Sequence, residues 1–193
     1  MRPRSICLHG PESTGKSVMA PRLAQHFGGV PCVAEFGRTY CEAFGTDLTM
    51  ADLVEIGKGH DAKVRAALAE QHYPVILDTD PLMTAVWADM MFGRRDAWFS
   101  TWTNTADVYL LFDIDLPWVG DGTRMFGTER ARRRFFDLSQ AVLEERGVRW
   151  ALVSGEGSAR YLSALRAIEA LSRDWSANRV CRSRPFGKPR WAC

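Results

Sequence analysis

The feature that most constrains the fold is the stretch GPESTGKS at residues 10–17, which satisfies the pattern G-x-x-x-x-G-K-[ST] at every fixed position. A short apolar run, 5–10, precedes it, and apolar residues at helical spacing, 16–28, follow it. A strand, a tight glycine loop and a helix in this order turn several backbone N–H groups toward one point. The stretch therefore predicts a phosphate-binding loop in an α/β fold.

Each fixed position of this loop has a physical task. Gly15 lets the loop close over a phosphate without a Cβ, Lys16 supplies a cation, and the hydroxyl of Ser17 can ligate Mg²⁺. ATP and Mg²⁺ are the expected cofactors. The predicted nucleotide-binding residues are Gly10, Pro11, Glu12, Ser13, Thr14, Gly15, Lys16 and Ser17.

Apolar runs and helical patterns alternate along the rest of the chain, which is typical of βαβ units with a parallel sheet. We therefore predict the P-loop NTPase fold, with a five-stranded parallel sheet flanked by helices. After the first strand and helix, further strands are expected at 30–36, 73–80, 106–115 and 148–155, and further helices from Thr49 and at 82–92, 95–104, 128–147 and 158–175.

Length and charge indicate one domain with a short extension. We expect a kinase-sized domain over 1–175 and an irregular basic tail over 176–193, since 179–193 hold basic but no acidic residues. The whole chain has a net charge of +2, and the basic tail contributes more positive charge than this, so the body is net negative. The body is therefore not a typical nucleic-acid binder, and only the tail offers such a contact. Five cysteines without a CxxC pair and no long apolar run indicate a cytoplasmic chain without a membrane segment.

Acidic residues follow two of the predicted strands, at the edge where parallel sheets bind ligands. Glu35 is the candidate general base, with Arg38 one turn later; the alternative is a glutamate at a helix start that pairs with Arg38. Asp78 is in the best register for Mg²⁺. Asp80 can reach metal or substrate, or it can cap the helix that follows.

The stretch LPWVGDGTR, 116–124, follows the fourth predicted strand and is interpreted as the start of a lid over about 117–134. Its glycines can act as pivots, Trp118 can contact a flat ring, and Arg124 can bind phosphate. One or two of Arg130, Arg132, Arg133 and Arg134 should join Arg124. Gly155, after the fifth strand, permits close approach of the backbone to a nucleotide base.

The helix that Thr49 caps, with Asp52 three residues later, places His60 on its apolar face. We interpret GKGH, 57–60, as core or the rim of a substrate site and not as a nucleotidyltransferase signature.

These motifs in this order resemble the ribosylnicotinamide kinase domain of NadR-type NAD-salvage proteins, which is a P-loop kinase with an AAA-type ATPase-like core. The resemblance covers about 5–172 and depends most on the DTD at 78–80 and on PWVGDGTR at 117–124. It implies transfer of the γ-phosphoryl group of ATP to the 5′-hydroxyl of nicotinamide riboside. It places Asp78 and Asp80 near metal and substrate, Trp118 near the nicotinamide ring, and Asp121 and Arg124 in the lid.

Two alternatives stay open beside a riboside kinase: a kinase for another nucleoside or nucleotide, and a nucleotide-dependent ATPase or binding module that uses the basic tail. Met1 lies close to Gly10, so no adenylyltransferase or helix-turn-helix domain is expected before the loop. The choice between ATP and GTP, the general base (Glu35 or Asp78) and the oligomeric state are left open by the sequence.

Overall fold

The computed structural model describes residues 3–120, 122 and 124–182, with side chains described through Arg173. Helices and strands alternate along this part of the chain. They are β1 (Ser5–His9), α1 (Lys16–His26), β2 (Cys32–Val33), α2 (Phe36–Phe44), α3 (Met50–Ala69), β3 (Val75–Asp78), α4 (Pro81–Phe92), α5 (Ala97–Thr101), β4 (Val108–Phe112), α6 (Glu129–Glu145), β5 (Trp150–Val153) and α7 (Gly157–Arg182).

The five strands form one parallel sheet in the order β2-β3-β1-β4-β5, as the sequence predicts. Alternate side chains of each strand enter different cores, because successive residues of a strand point to opposite faces. Ile6 and Leu8 of β1 pack with residues of α1 and α7. Cys7 packs on the other face with residues of α3, α4 and α6. The sheet is therefore buried on both sides, and its strands are almost wholly apolar.

Local signals explain several boundaries. Thr49 caps α3 with a reciprocal capping box, in which its hydroxyl oxygen accepts the Asp52 N–H and the Asp52 carboxylate accepts the Thr49 N–H. Gly15 begins α1 in the left-handed region, at φ 84°, and Gly93 ends α4 in the same region, at φ 64°. A side chain at either position would strain the backbone.

Four elements differ clearly from the sequence-based expectation. The second strand is confined to Cys32–Val33, and a helix that was not predicted, α2, begins at Phe36. The helix expected at 95–104 is confined to Ala97–Thr101. The last helix continues through Arg182, so 176–182 is helical and not irregular as predicted; residues 183–193 lie outside the described part of the chain.

No helix within the described residues combines the length and the apolar character needed to cross a membrane.

Candidate active site

A cleft opens at the carboxyl edge of the sheet, where the loops after β1, β2 and β3 meet. One end of the cleft is formed by the phosphate-binding loop, and its wall includes Gly10, Glu12, Ser13, Thr14, Gly15 and Lys16. The other end lies between α2, α3, α4 and α6, and its wall includes Leu48, Leu53, Ile56, Met83, Trp87 and Phe135. One end therefore offers N–H groups and a cation, and the other an apolar surface.

Most of the residues predicted from the sequence line this cleft. They are Gly10, Glu12, Ser13, Thr14, Gly15, Lys16, Ser17, Glu35, Arg38 and Arg124. Pro11, Asp78, Asp80, Trp118 and Gly155 are not among its lining residues. Asp121 lies outside the described residues.

Lys16 is buried within the loop, and its Nζ donates to the carbonyl of Pro11 at 2.7 Å. Burial lowers the pKa of Lys16 from its usual value, while the carboxylates of Glu35, Asp78 and Glu12 oppose that shift. Three acidic groups thus act on one lysine. This charge balance keeps a cation at the point toward which the loop turns its N–H groups.

Glu35 is a half-buried residue that lines the cleft directly before α2 begins. Burial raises its pKa above the usual value of 4.5, and the charge of Asp78 adds to the rise, while Lys16 and Arg38 lower it. A carboxylate whose pKa is moved toward neutrality is a better proton acceptor at physiological pH than an ordinary glutamate.

The two aspartates of the DTD stretch point to different surroundings. Asp80 caps α4 by accepting from the N–H of Leu82 at 3.0 Å, and it also accepts from the hydroxyl of Tyr109 in the core. Burial raises its pKa to about 6. Thr79 between the aspartates has a left-handed φ of 71°, a conformation that is rare for a β-branched residue. Of the two roles that the sequence left open, these contacts match the capping role, and the bond from Tyr109 occupies the other carboxylate oxygen.

Asp78 ends β3 and is only 4% exposed, yet its Oδ1 has no hydrogen-bond partner among the described residues. A buried carboxylate oxygen without a partner is costly unless a cation or water satisfies it. Mg²⁺ prefers oxygen ligands and is commonly held by one carboxylate together with substrate phosphates. Asp78 and the Ser17 hydroxyl therefore fit the group that the loop motif implies.

Trp118 packs on the chain around it and not in the cleft. Its ring lies so close to Gly127 that a Cβ at that glycine would be 2.9 Å from the indole carbons. The tryptophan among the described residues that does line the cleft is Trp87, whose ring lies 5.3 Å from those of Phe126 and Phe135. Trp87 was not singled out from the sequence, because one tryptophan in an apolar helix carries no signal for a site.

Arg160 is a second residue that sequence reasoning missed. It is 3% exposed, and its guanidinium donates to the carbonyls of Thr14, Asp113 and Gly155. It also pairs with the carboxylate of Asp115. Arg160 therefore joins the phosphate-binding loop to the chain after β4 and after β5. Gly155, expected to approach a nucleotide base, is held in this network.

The arginines that begin α6 lie away from the cleft lining. Arg132 donates to the carbonyl of Leu116 at 2.7 Å, and Arg133 lies over the ring of Phe136. Among the arginines at the described positions 124–134, only Arg124 lines the cleft.

Comparison with known proteins gives a consistent result. Residues 5–160 match the AAA domain family AAA_28. The trifunctional NAD biosynthesis/regulator protein NadR of Escherichia coli is 27% identical over 175 residues, which is 87% of this chain and 42% of that protein. The corresponding protein of Salmonella typhimurium is 26% identical over the same length. The chain thus spans less than half of these relatives.

Solved structures give the same assignment of the fold. A NadR protein in complex with NR superimposes with a TM-score of 0.71 at 25% identity, over 89% of this chain and 50% of that one. Thymidylate kinase from Ehrlichia chaffeensis superimposes with a TM-score of 0.63 at 15% identity, over 89% of this chain and 100% of that one, which is a likeness of fold alone. The chain belongs to the AAA domain family AAA_28, and its P-loop domain is similar in sequence and fold to part of the NadR proteins.

Proposed function

We propose that this chain is an ATP-dependent kinase that phosphorylates the 5′-hydroxyl of nicotinamide riboside to give nicotinamide mononucleotide. One observation carries the proposal: a single cleft joins the phosphate-binding loop, through Glu35, to an apolar and aromatic end. An enzyme that only hydrolyses ATP needs the phosphate-binding loop but not the apolar end. A kinase needs a place for the acceptor next to the phosphates.

The NadR likeness supports the choice of acceptor. A related P-loop domain, 25% identical, has been solved as part of a NadR protein in complex with NR. Another NadR structure, with 24% identity, contains NAD and AMP-PNP, an ATP analogue. The apolar end of the cleft is suited to binding a flat, nucleobase-like ring, since Trp87 and Phe135 lie in its wall.

The chain's own residues perform the remaining tasks. The loop N–H groups and Lys16 hold the phosphates, and Arg124 neutralises charge that develops on the transferred group. Glu35 orients the acceptor hydroxyl and takes its proton. The apolar side chains of the wall offer water no hydrogen-bond partners, which disfavours water as a competing acceptor. Asp78 and Ser17 would hold Mg²⁺, which supplies charge neutralisation on the phosphate oxygens.

The second candidate is a kinase for another nucleoside or nucleotide. The position of Trp118 against Gly127 favours it, because the resemblance assigns that tryptophan to the nicotinamide ring and the cleft wall does not include it.

A phosphoryl-transfer assay distinguishes these candidates. The protein is incubated with Mg²⁺ and ATP against a panel of nucleosides and nucleotides, including nicotinamide riboside, adenosine, thymidine and thymidine monophosphate, and the products are identified by mass spectrometry. Nicotinamide riboside should gain one phosphate, and Lys16→Ala should remove the product. Phosphorylation of a different nucleoside or of a nucleotide would support the second candidate, and ATP turnover with no phosphorylated acceptor would contradict both.

A further inference from the structure

Glu12 and Ser13 occupy two unspecified positions of the phosphate-loop motif, and both bind the chain that follows β4. The Glu12 carboxylate accepts the backbone N–H of Met125 at 3.1 Å and that of Phe126 at 3.0 Å. Ser13 Oγ accepts the N–H of Val119 at 2.8 Å. The motif itself requires none of these contacts, so they are a property of this chain.

Arg124 lies between these contacts. Its guanidinium donates to Ser13 Oγ at 3.2 Å and to the carbonyl of Val119. The residue directly after it, Met125, is the one that Glu12 holds. Glu12, Ser13, Arg124 and Met125 all line the cleft. The phosphate loop thus binds the side chain of Arg124 directly, through Ser13, and the backbone directly after Arg124, through Glu12.

We infer that Glu12 is a positioning residue, which holds the Arg124 guanidinium over the phosphate loop by binding the backbone that follows Arg124. The inference rests on the proposed function, in which Arg124 acts on the transferred phosphoryl group. A guanidinium that is already in place does not have to be ordered during the reaction, and such preorganisation is the main source of electrostatic catalysis.

The charges around Glu12 support a role in positioning Arg124 and not a direct contact with the phosphates. A carboxylate next to a phosphate site repels phosphate unless its charge is compensated. Burial raises the pKa of Glu12, while the N–H groups of Phe126 and Met125 and the charges of Lys16 and Arg124 lower it. The carboxylate therefore has two backbone donors and two cations around it.

The base of the same segment is held independently. Arg160 donates to the Asp113 carbonyl at 2.7 Å and to the Thr14 carbonyl at 3.0 Å, and it pairs with Asp115. The chain after β4 is consequently joined to the phosphate loop at three points: by Arg160 at its base, by Ser13 at Val119, and by Glu12 directly after Arg124. Loss of Glu12 should release the part around Arg124 and leave the base in place.

A double-mutant cycle between Glu12 and Arg124 tests the inference. In the wild-type background, Arg124→Ala should lower kcat for riboside phosphorylation about 10-fold, as for loss of one charged stabilising group. If Glu12 acts through Arg124, the same substitution should cost less than about 2-fold in the Glu12→Ala background. Glu12→Gln, which keeps one oxygen acceptor, should lie between wild type and Glu12→Ala. Equal effects of Arg124→Ala in both backgrounds would overturn the inference.

Two controls keep the result interpretable. Glu70→Ala removes an exposed glutamate at the end of α3, and it should leave kcat and the melting temperature unchanged. If the wild type phosphorylates no riboside, the proposed function fails, and the cycle is then measured on the Kd of AMP-PNP. Non-additive effects of the Glu12 and Arg124 substitutions on that Kd would support the positioning role independently of the proposed function. Additive effects on the Kd would contradict it.

Discussion

The two ends of the cleft are built in different ways. The phosphate end comes from consecutive residues, 10–17, and acts mainly through backbone N–H groups and one lysine. The apolar end, which we propose holds the acceptor and call the acceptor end, combines side chains from α2, α3, α4 and α6, which are far apart in sequence. Local sequence therefore determines the first end, and tertiary packing determines the second.

This difference has a consequence for function. A backbone cradle binds any polyphosphate of the right shape, so the phosphate end is suited to a donor that many proteins share. An apolar wall of side chains changes with each substitution, so the acceptor end is where specificity is set. Substitutions at the two ends should therefore affect different kinetic constants.

The largest effect is expected at the phosphate end, for Lys16→Ala. Loss of the cation should lower kcat by about 10²- to 10³-fold, since a charged group aimed at the transferred phosphates is removed. The Kd of the riboside, measured by calorimetry without ATP, should stay within about 2-fold of wild type, since Lys16 does not belong to the apolar wall. Lys58→Ala, at an exposed lysine paired with Glu55, is the matched control. A comparable loss of riboside affinity would show that the two ends are not independent.

The second effect concerns Asp78, which lies below the cleft at the end of β3. Asp78→Asn should lower kcat by about 10²-fold and raise the Mg²⁺ concentration needed for half-maximal rate, since an amide is a weaker ligand for a hard cation. The measurement is a Mg²⁺ titration of initial rates. Asp137→Asn, at an exposed residue of α6, should leave the titration unchanged. An unaltered Mg²⁺ dependence in Asp78→Asn would remove Asp78 from the metal site.

The third effect separates the two tryptophans. Trp87→Leu should raise the riboside KM by about 5-fold, in keeping with the value of an aromatic contact of about 1 kcal/mol. The ATP KM should not change. Trp118→Leu should leave the riboside KM nearly unchanged, since Trp118 packs on Gly127. A larger effect of Trp118→Leu than of Trp87→Leu on the riboside KM would instead place Trp118 near the ring of the riboside, as the resemblance implies.

The sequence predicted the phosphate end almost completely, because the strand, the glycine loop and the helix are all local signals. The Thr49–Asp52 capping box and the position of Asp78 at the end of β3 followed from equally local patterns. A signal for α2 was present and unused: Phe36, Tyr40 and Phe44 recur every four residues, and the rings of Tyr40 and Phe44 lie 4.7 Å apart.

The acceptor end could not be predicted in the same way. Whether a tryptophan faces the cleft depends on how α4 packs on α3 and α6, and no short pattern around Trp87 encodes that packing. The same holds for Glu12, since its partners, Met125 and Phe126, lie more than a hundred residues away. The DTD stretch, 78–80, illustrates this limit of prediction from sequence. Asp78 lies near Lys16, whereas Asp80 caps α4.

The smallest effect concerns stability, and it compares a buried histidine at each end. His9, below the phosphate loop, and His60, in the cleft wall, are both buried, and burial lowers their pKa values to about 3 and about 4. Both stay neutral in the folded protein, while the unfolded chain takes up protons below about pH 6.5. The stability that they contribute is therefore present above about pH 6.5 and is lost as the pH falls.

Between pH 6.5 and 5.5, each histidine should lower the free energy of unfolding by about 1 kcal/mol. Asp80 acts in the opposite direction, since its raised pKa of about 6 makes the folded state take up a proton in this window. Comparing the pH-dependent change in the free energy of unfolding between wild type and each variant isolates the contribution of one histidine. In urea titrations at the two pH values, His9→Gln and His60→Gln should each reduce the pH-dependent loss by about 1 kcal/mol. A variant that keeps the full wild-type loss would show that its histidine becomes protonated without unfolding, and that its end of the cleft admits water in acid.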